Sequence, residues 1–421
     1  MSSPTTAELL ARRQRALGAS YRLFYEEPFA PVRGEGVWLY DKDNTAYLDA
    51  YNNVASIGHC HPAVVAAIAE QSALLNTHTR YLHPSIVDYA EDLLSEFPPL
   101  LDNMTMTCTG SEANDLALRI ARCHSGGTGI IVTRWAYHGV TSALAEVSPS
   151  LATGLPTASH VRLVDAPDSY RRSADFLGDV KAALQDMHAH GIKPAALLVD
   201  SIFSSDGVFS PANGELAAAA QCVRDAGGLY IADEVQPGFG RTGGQRWGFA
   251  RDSVTPDLVT LGKPMGNGHP VAAVVGRSAL FDQFGRQQRY FNTYGGNPVS
   301  CKAAHAVLRV LREEDLQANA RDVGGYLKEG LRKLAERHEV IGDVRGEGLF
   351  IGVELVVDRQ AQTPATTAAA AVVNGMRRRQ VLISSTGPMA NILKIRPPLV
   401  FAREHADLLL KRLDATLNDL R

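Results

Sequence analysis

The sequence predicts an α/β fold, in which a mainly parallel sheet is covered by helices on both faces. The main observation is that short apolar runs alternate with helical patterns between about residue 60 and residue 300. A second observation is that helices and strands continue after about residue 305 and predict a smaller α/β domain. We therefore expect residues 61–305 to form the large domain, and residues 1–60 and 306–421 to build the small one.

The first elements follow from local patterns. "AELLARRQRAL" is helical in pattern, and its arginines Arg12, Arg13 and Arg15 predict a solvated helix face. "GVWLYDKDNTAYLDA" alternates apolar and polar residues around Asp43 and Asn44, which predicts a hairpin. Pro62 opens the next apolar pattern and is expected in the first turn of a helix.

The central elements alternate in type. "MTMTCTGSEANDLALRIARC" predicts a strand, a turn and a helix. "GIIVTR", "KPAALLVDS" and "GGLYIADEV" predict buried strands, and "GELAAAAQCVRDAG" predicts the helix before the last of them. "DLVTLG" and "PVAAVVG" predict two more strands, one on each side of Lys263. A long amphipathic helix is expected from "AAHAVLRVLREEDL" through "VGGYLKEGLRKLAERH".

The composition excludes several classes of protein. A hydrophobic content of 45% and a charged content of 21% are typical of a folded enzyme. The net charge of −3 argues against a nucleic-acid or membrane-surface partner. No apolar run reaches the ~20 residues that cross a bilayer, and the N-terminus resembles no secretory signal. The five cysteines are scattered without a CxxC pair, which favours reduced thiols, a cytoplasmic location and no metal site.

"TGSEAND", residues 109–115, follows a predicted strand and opens a helix. Free N–H groups and the positive end of the helix dipole make such a place an anion site, above all for phosphate. The plainer interpretation is a capping box, with Thr109 or Ser111 followed by an acid, and the motif alone favours that interpretation.

Two further polar residues follow predicted strands. Asp233 comes at the end of "GLYIAD", where α/β sheets bind their ligands, and it could bind metal, act as a base or hold a protonated ring nitrogen. Lys263 follows "DLVTLG", and a desolvated lysine there can act as an imine-forming nucleophile. Taken singly, a turn-capping Asp and a solvated Lys are the safer interpretations.

An aromatic pair completes the set. Trp135 and Tyr137 precede His138 after the strand "GIIVTR" and offer a flat side chain that could stack on a ring. An anion site, a stacking aromatic, a carboxylate and a lysine, each at a strand end, are together the parts of a pyridoxal phosphate site. The occurrence of all four features together favours a cofactor site over the separate structural interpretation of each residue.

These motifs resemble those of the fold-type I, class III aminotransferases, over nearly the whole chain. "GSEAND", "YHG", "ADEVQPGFGRTG", "GKPMGNGHP" and "NTYGGNP" occur in the family's order. The resemblance implies a large domain with a seven-stranded, mainly parallel sheet and pyridoxal 5′-phosphate as cofactor. It also implies a homodimer with active sites shared between subunits, and pairing of dimers into tetramers stays open.

The resemblance assigns roles to individual residues. Lys263 would carry the cofactor as a Schiff base and remove the substrate proton. The cofactor residues that the resemblance implies are Gly110 and Ser111 at the phosphate, Tyr137 and His138 at the ring, Asp233 at the pyridinium nitrogen, Gln236 beside the phenolic oxygen, and Thr293 reaching the phosphate from a second subunit.

The sequence resembles one narrower branch of this family more closely than the family as a whole. "YNNVASIGHCHP", "LLNTHTRYLH", "FNTYGGNPVSC" and "ILKIRPPLVF" resemble the ethanolamine-phosphate and phosphohydroxylysine phospho-lyases. This implies elimination of phosphate from O-phosphoethanolamine or a related phosphorylated amine, giving acetaldehyde, ammonia and phosphate. The alternatives are an ω-amino acid or amine transaminase that uses a keto acid, and a non-catalytic protein that binds the cofactor. An intact set of cofactor residues argues against the last.

A phospho-lyase needs a second anion pocket for the leaving phosphate. Arginine suits this task because its planar fork binds two oxygens at once. The candidates are Tyr21, Arg22, Asn53, Arg80 and Arg396, with Asn52 and Lys394 as further possibilities. Tyr21, Arg22 and Asn53 are favoured, because the family that the sequence resembles builds substrate pockets from its N-terminal segment. For any one of these residues, an exposed or structural role is at least as strong an alternative.

Two further stretches bear on the choice of reaction and on metal binding. Asp200 and Ser201 stand where many class III transaminases carry Glu-Pro, and that Glu often serves the acceptor's carboxylate, which puts dicarboxylate transamination in doubt. "GHCHP", residues 58–62, suggests metal through His59, Cys60 and His61, but its spacing favours a structural loop before a helix.

Overall fold

The structure is a computed structural model that describes residues 5–151, 157–168, 170–171, 175–211 and 214–420. The helices of this part of the chain are α1 (Thr6–Leu17), α2 (Pro62–Leu74), α3 (Pro84–Leu94), α4 (Gly110–Ser125), α5 (Ser142–Ala145), α6 (Phe176–Ala189), α7 (Glu215–Asp225), α8 (Ser278–Gln287), α9 (Pro298–Glu313), α10 (Leu316–Arg337), α11 (Thr366–Arg378) and α12 (Arg403–Asn418). Among these described helices, none is long and apolar enough to cross a membrane.

The strands form three sheets. In chain order they are β1 (Arg33–Glu35), β2 (Trp38–Tyr40), β3 (Ala46–Asp49), β4 (Asn103–Thr107), β5 (Gly129–Thr133), β6 (Val161–Val164), β7 (Pro194–Asp200), β8 (Leu229–Asp233), β9 (Leu258–Leu261), β10 (Ala272–Gly276), β11 (Ile341–Glu347), β12 (Phe350–Asp358), β13 (Thr363–Pro364), β14 (Val381–Leu382), β15 (Ser384–Thr386) and β16 (Ile392–Ile395).

The largest sheet has seven strands in the order β4-β10-β9-β8-β7-β5-β6. Strand β10 is antiparallel to β4 and β9, and the other neighbours are parallel. Strands buried on both faces carry near-continuous apolar residues. In β8, Tyr230 and Ala232 belong to the core on one face, whereas Leu229 and Ile231 belong to the core on the other. The predicted α/β class and the mainly parallel seven-stranded sheet are confirmed.

The remaining sheets combine distant parts of the chain. The hairpin β2–β3 forms around the predicted turn, where Asn44 has a φ of 60°, and β3 pairs with β14 from the C-terminal part. Strands β11, β12, β16 and β15 form the third sheet, and β13 pairs with β12. The pairing of β3 with β14 accords with one small domain built from both ends of the chain. The boundaries at residues 60 and 305 stay a prediction.

One predicted element differs. The sequence pattern indicates a single long helix after residue 303, whereas the structure has two, α9 and α10. The break falls at Glu314 and Asp315, and Asp315 takes a φ of 46°, outside the helical region. The apolar spacing continues across this break, which is why the pattern alone did not reveal it.

Two adjacent glycines in α10 give a test of this packing. A β-carbon at Gly324 would overlap the carbonyl oxygen of Gly348, whereas a β-carbon at Gly325 would meet nothing within 4 Å. We expect Gly324→Ala to destabilise the protein by about 1–3 kcal/mol or more through overpacking. Gly325→Ala should stabilise it by about 0.5–1 kcal/mol, because alanine is the better helix former. Denaturant unfolding of both variants checks the pair, and equal effects would contradict the assigned contact.

Candidate active site

The candidate site lies at the carboxyl ends of the central parallel strands, where open α/β sheets bind ligands. Asp200 ends β7 and Asp233 ends β8, and the two are register partners. Lys263 begins a short 3-10 turn directly after β9. These residues share a cavity of about 190 Å³. Its lining residues are Thr109, Gly110, Ser111, Asn114, Tyr137, His138, Gly139, Asp200, Asp233, Val235, Gln236 and Lys263.

Asp233 is the most firmly held group of the cavity. Its Oδ2 accepts hydrogen bonds from Asn114 Nδ2 at 2.9 Å and from His138 Nδ1 at 2.8 Å, and Oδ1 accepts from the Val235 amide at 3.1 Å. The side chain of Asn114 is oriented in turn by Thr260, whose Oγ1 donates to Asn114 Oδ1 at 2.7 Å. Only 5% of Asp233 is exposed. A buried carboxylate held by three donors is placed to pair with a cationic ring nitrogen.

The N-terminus of α4 forms another part of the cavity wall. Thr109 and Glu112 make the capping box of this helix, so the plainer interpretation of "TGSEAND" also holds. The amides of Gly110 and Ser111 open the helix on the cavity. A β-carbon on Gly139 would lie 2.7 Å from Ser111 Oγ, so glycine is needed for this close approach. The helix end can receive an anion such as phosphate.

Lys263 has a strained backbone and a perturbed side chain. Its φ of 22° lies in the left-handed region, which a non-glycine residue adopts only when its surroundings impose it. Burial lowers the pKa of Lys263, Asp233 opposes this by attraction, and Arg396 lowers the pKa further by repulsion. A lysine with a lowered pKa reaches its neutral, nucleophilic form more readily.

A hydrogen-bonded group adjoins the cavity. The Arg396 guanidinium donates from Nη1 to Gln236 Oε1, and from Nε to the carbonyl oxygen of Tyr51 at 3.2 Å. Asn53 Nδ2 donates to the carbonyl oxygen of Gln236 at 3.2 Å. Lys394 is buried nearby, and burial together with Arg396 lowers its pKa well below the usual range. Asn53, Gln236 and Arg396 are thus brought together.

Other predicted residues lie elsewhere on the single chain. Tyr21 and Arg22 are exposed and outside the cavity lining, and the Arg80 guanidinium lies over the Phe291 ring at 3.9 Å. Thr293 is also exposed. Trp135 is half-buried and does not line the cavity, whereas Tyr137 does. Burial raises the pKa of Tyr137, and the nearby Asp233 raises it further.

Histidines of "GHCHP" make separate contacts. His59 pairs with Asp49 at 2.7 Å, and His61 caps α2 by accepting from the Ala63 amide at 3.3 Å. Among the described residues, no group of three or more His, Cys, Asp or Glu side chains is arranged to hold a metal ion.

Sequence reasoning missed two residues of the site. Asn114 belongs to "GSEAND", lies one helical turn after Gly110 and donates to Asp233. Thr260, inside β9, supports it. Asn114 stands among Ser111, Glu112 and Asp115 in the sequence, so no local pattern distinguishes it or identifies its partner.

These groups fit pyridoxal phosphate. A helix N-terminus suits its phosphate, the buried Asp233 carboxylate suits its ring nitrogen, and a lysine with a lowered pKa suits its aldehyde. His138 Nε2 is buried without a hydrogen-bond partner among the described residues, and Nδ1 is turned to Asp233. The chemistry of this donor set matches the cofactor at each of its reactive ends.

Comparisons with known proteins agree with this site. The chain is 46% identical to a solved phospholyase from Arthrobacter in complex with phosphoethanolamine, with a TM-score of 0.95 and coverage of 98% of this chain and 100% of that one. It is 43% identical over 418 residues to a Drosophila melanogaster relative named alanine–glyoxylate aminotransferase 2-like, covering 95% of this chain and 85% of the relative. It is 39% identical over 419 residues to ethanolamine-phosphate phospho-lyase homolog 1 of Caenorhabditis elegans, covering 94% and 90%.

The family assignment follows from the same comparisons. The model of the family "Aminotransferase class-III" matches residues 24–417. Members of this family depend on pyridoxal phosphate. The chain therefore belongs to the class-III aminotransferase family and is a pyridoxal-phosphate enzyme of fold type I.

Proposed function

We propose that this enzyme is a phospho-lyase, which converts O-phosphoethanolamine or a related phosphorylated amine, with water, to an aldehyde, ammonia and phosphate. For phosphoethanolamine the aldehyde is acetaldehyde. The observation that carries the proposal is the 46% identity, over nearly the full chain, to a phospholyase solved with phosphoethanolamine. The aminotransferase names of other relatives support the second candidate, an ω-amino acid or amine transaminase that uses a keto acid.

Two buried basic side chains support phosphate as the leaving group. Arg396 and Lys394 are each only 8% exposed, and burial, followed by repulsion from Arg396, lowers the pKa of Lys394. Burying like charges together is costly unless an anion balances them. Asp200 and Asp206 supply part of this balance, and a phosphate dianion would add to it. We assign Arg396, with Asn53 beside it, to the substrate's phosphate.

The chain's own residues supply the proton chemistry. Pyridoxal phosphate, when bound, supplies an electron sink for the bond that breaks beside the amine. Lys263 acts as the base that takes a proton from the carbon bearing nitrogen, and burial makes its neutral form accessible. The C–O bond to phosphate on the adjacent carbon then breaks, and water completes the release of aldehyde and ammonia. Asp233, fixed by Asn114 and His138, holds the ring-nitrogen side of the cavity negative.

We also propose a homodimer with shared active sites, in which Thr293 reaches the partner's cofactor phosphate. Large apolar side chains are exposed around it on the single chain, with Tyr294 at 72%, Tyr81 at 64% and Leu82 at 100%. Exposed apolar groups of this kind mark interaction surfaces. Tyr21, Arg22 and Arg80 are also exposed on the single chain. We further propose a cytoplasmic location, which fits the five free thiols.

Incubation with phosphoethanolamine alone separates the two candidate reactions. A phospho-lyase releases equal amounts of phosphate and ammonia over many turnovers without a keto acid. A transaminase stops after one half-reaction, and that result would contradict the proposal.

Lys263→Ala should abolish turnover while the cofactor stays bound without a covalent link. Lys328→Ala is the control, because this lysine bonds to the Gly346 carbonyl oxygen outside the site.

Arginine substitutions test the phosphate pocket. We expect Arg396→Gln to raise the KM for phosphoethanolamine about 10- to 100-fold, because a charge-assisted contact to phosphate is lost. Arg22→Ala should have a smaller effect, since Arg22 is exposed on the single chain. Steady-state kinetics of both variants provide the measurement. A larger effect at Arg22 than at Arg396 would contradict the assignment of Arg396 and move the phosphate contact to the N-terminal segment.

Subunit complementation tests the shared site. Lys263→Ala and Thr293→Asp should each be inactive as pure proteins, the second because its carboxylate repels the cofactor phosphate. If Thr293 acts across the interface, a heterodimer has one site with both wild-type residues and one with neither. Mixing and refolding equal amounts should then restore about a quarter of wild-type activity. No recovery in a mixture shown to contain heterodimers would contradict the assignment of Thr293.

A further inference from the structure

Residues 49–59, here called the 49–59 loop, run from the end of β3 to the histidine of "GHCHP". The loop is closed at its base by Asp49 Oδ2 and His59 Nε2, which lie 2.7 Å apart. The other oxygen of Asp49 accepts hydrogen bonds from the amides of Tyr51 at 3.0 Å and Asn52 at 2.9 Å. The Asp49 side chain is 1% exposed and that of His59 is 12% exposed. The pair is therefore a buried clasp that also orders the first turn of the loop.

The interior of this loop contacts two separate parts of the candidate site. Towards the phosphate pocket, the Tyr51 carbonyl oxygen accepts from Arg396 Nε at 3.2 Å, and the Ala50 carbonyl oxygen accepts from the Arg396 amide at 2.7 Å. Asn53 Nδ2 donates to the carbonyl oxygen of Gln236 at 3.2 Å. The first half of the loop thus holds Arg396 and Gln236.

The second half contacts the turn that carries Lys263. Ser56 Oγ donates to the carbonyl oxygen of Pro264 at 3.2 Å, directly after Lys263. The Ile57 amide donates to Asn267 Oδ1 at 3.0 Å, and Asn267 Nδ2 donates back to the Gly58 carbonyl oxygen at 2.8 Å. A single loop therefore connects the reactive lysine to the arginine of the substrate pocket.

The clasp is also coupled to the site by charge. The Asp49 carboxylate acts on Arg396 and raises its pKa, against the lowering by burial. It acts in the same direction on the buried Arg241. The Asp49 side chain that acts on Arg396 is the one that His59 contacts at 2.7 Å.

We propose that Asp49 and His59 are positioning residues of the reaction, which set the placement of Arg396 relative to Lys263 by closing the 49–59 loop. Neither side chain lines the cavity, so both act through the loop. This inference rests on the proposed function in its assignment of Arg396 to the substrate and in its choice of phosphoethanolamine as substrate. It gives "GHCHP" a role that is neither metal binding nor a passive connection.

The test uses the holoenzyme with His59→Ala. We expect kcat for phosphoethanolamine to fall about 10- to 100-fold, because a small misplacement of reacting groups has effects of this size. The cofactor should remain bound at one per chain, since Asp233, Lys263 and the α4 N-terminus are untouched. Hydrogen exchange should rise in peptides that cover residues 50–58 and 262–268, and elsewhere it should stay as in the wild type.

Conservative variants keep the test informative if His59→Ala does not fold. His59→Gln retains a side-chain N–H that can reach Asp49, so it should recover most of the activity. His59→Asn has a side chain too short for that contact and should behave like the alanine variant. Equal activity of the Gln and Asn variants would overturn the proposal.

His61→Ala is the matched control. This histidine lies two residues away and caps α2, but it makes no contact with Asp49. It should reduce thermal stability and leave kcat unchanged. The proposal is wrong if His59→Ala keeps wild-type kcat, or if His61→Ala loses activity to the same extent. A wild-type enzyme inactive on phosphoethanolamine would instead refute the proposed function, and the same variants would then be compared in an amine–keto acid transamination.

Discussion

The buried carboxylate of Asp233 is the constraint on which the rest of the site depends. A carboxylate in the interior must be supplied with donors, and here they come from Asn114 in α4 and from His138 after β5. Satisfying it therefore fixes the start of α4 and the loop after β5 against the end of β8. The same arrangement puts the free amides of α4 and the aromatic face of Tyr137 on one cavity. One polar group thus organises three chain segments.

Charged groups around Lys263 shift its pKa in opposite directions. Lys263 lies among Asp233 and Asp200, which favour its protonated form, and close to Arg396, which disfavours it. Burial is the largest influence on Lys263, and it lowers the pKa of this lysine. Burial likewise raises the pKa of Asp200, with repulsion by Asp233 in the same direction. Perturbed pKa values of this kind are concentrated at functional sites.

Contacts from the small sheets hold this arrangement in place. Arg396 follows β16, yet its guanidinium is held by Gln236 after β8 and by Tyr51 after β3. The three residues come from the N-terminal, central and C-terminal parts of the chain. Hydrogen bonds between such distant segments limit relative motion more than local contacts do, because each one closes a large loop of chain. The 49–59 loop is the segment that meets both the lysine turn and the arginine.

The sequence by itself determined the alternation of strands and helices, the capping box at Thr109, the helix start at Pro62, and the polar residues at strand ends. These features depend on local periodicity and on chemistry within a few residues, which a single sequence contains. It also indicated Lys263, Asp233, Tyr137 and His138 as neighbours, because carboxyl ends of parallel strands meet at one edge. Only the tertiary structure decided the break between α9 and α10, the support of Asp233 by Asn114, and the meeting of Asn53, Gln236 and Arg396. Those contacts join residues up to 345 positions apart, as Tyr51 and Arg396 show. No spacing rule connects such residues, since their proximity depends on the order in which strands assemble into sheets.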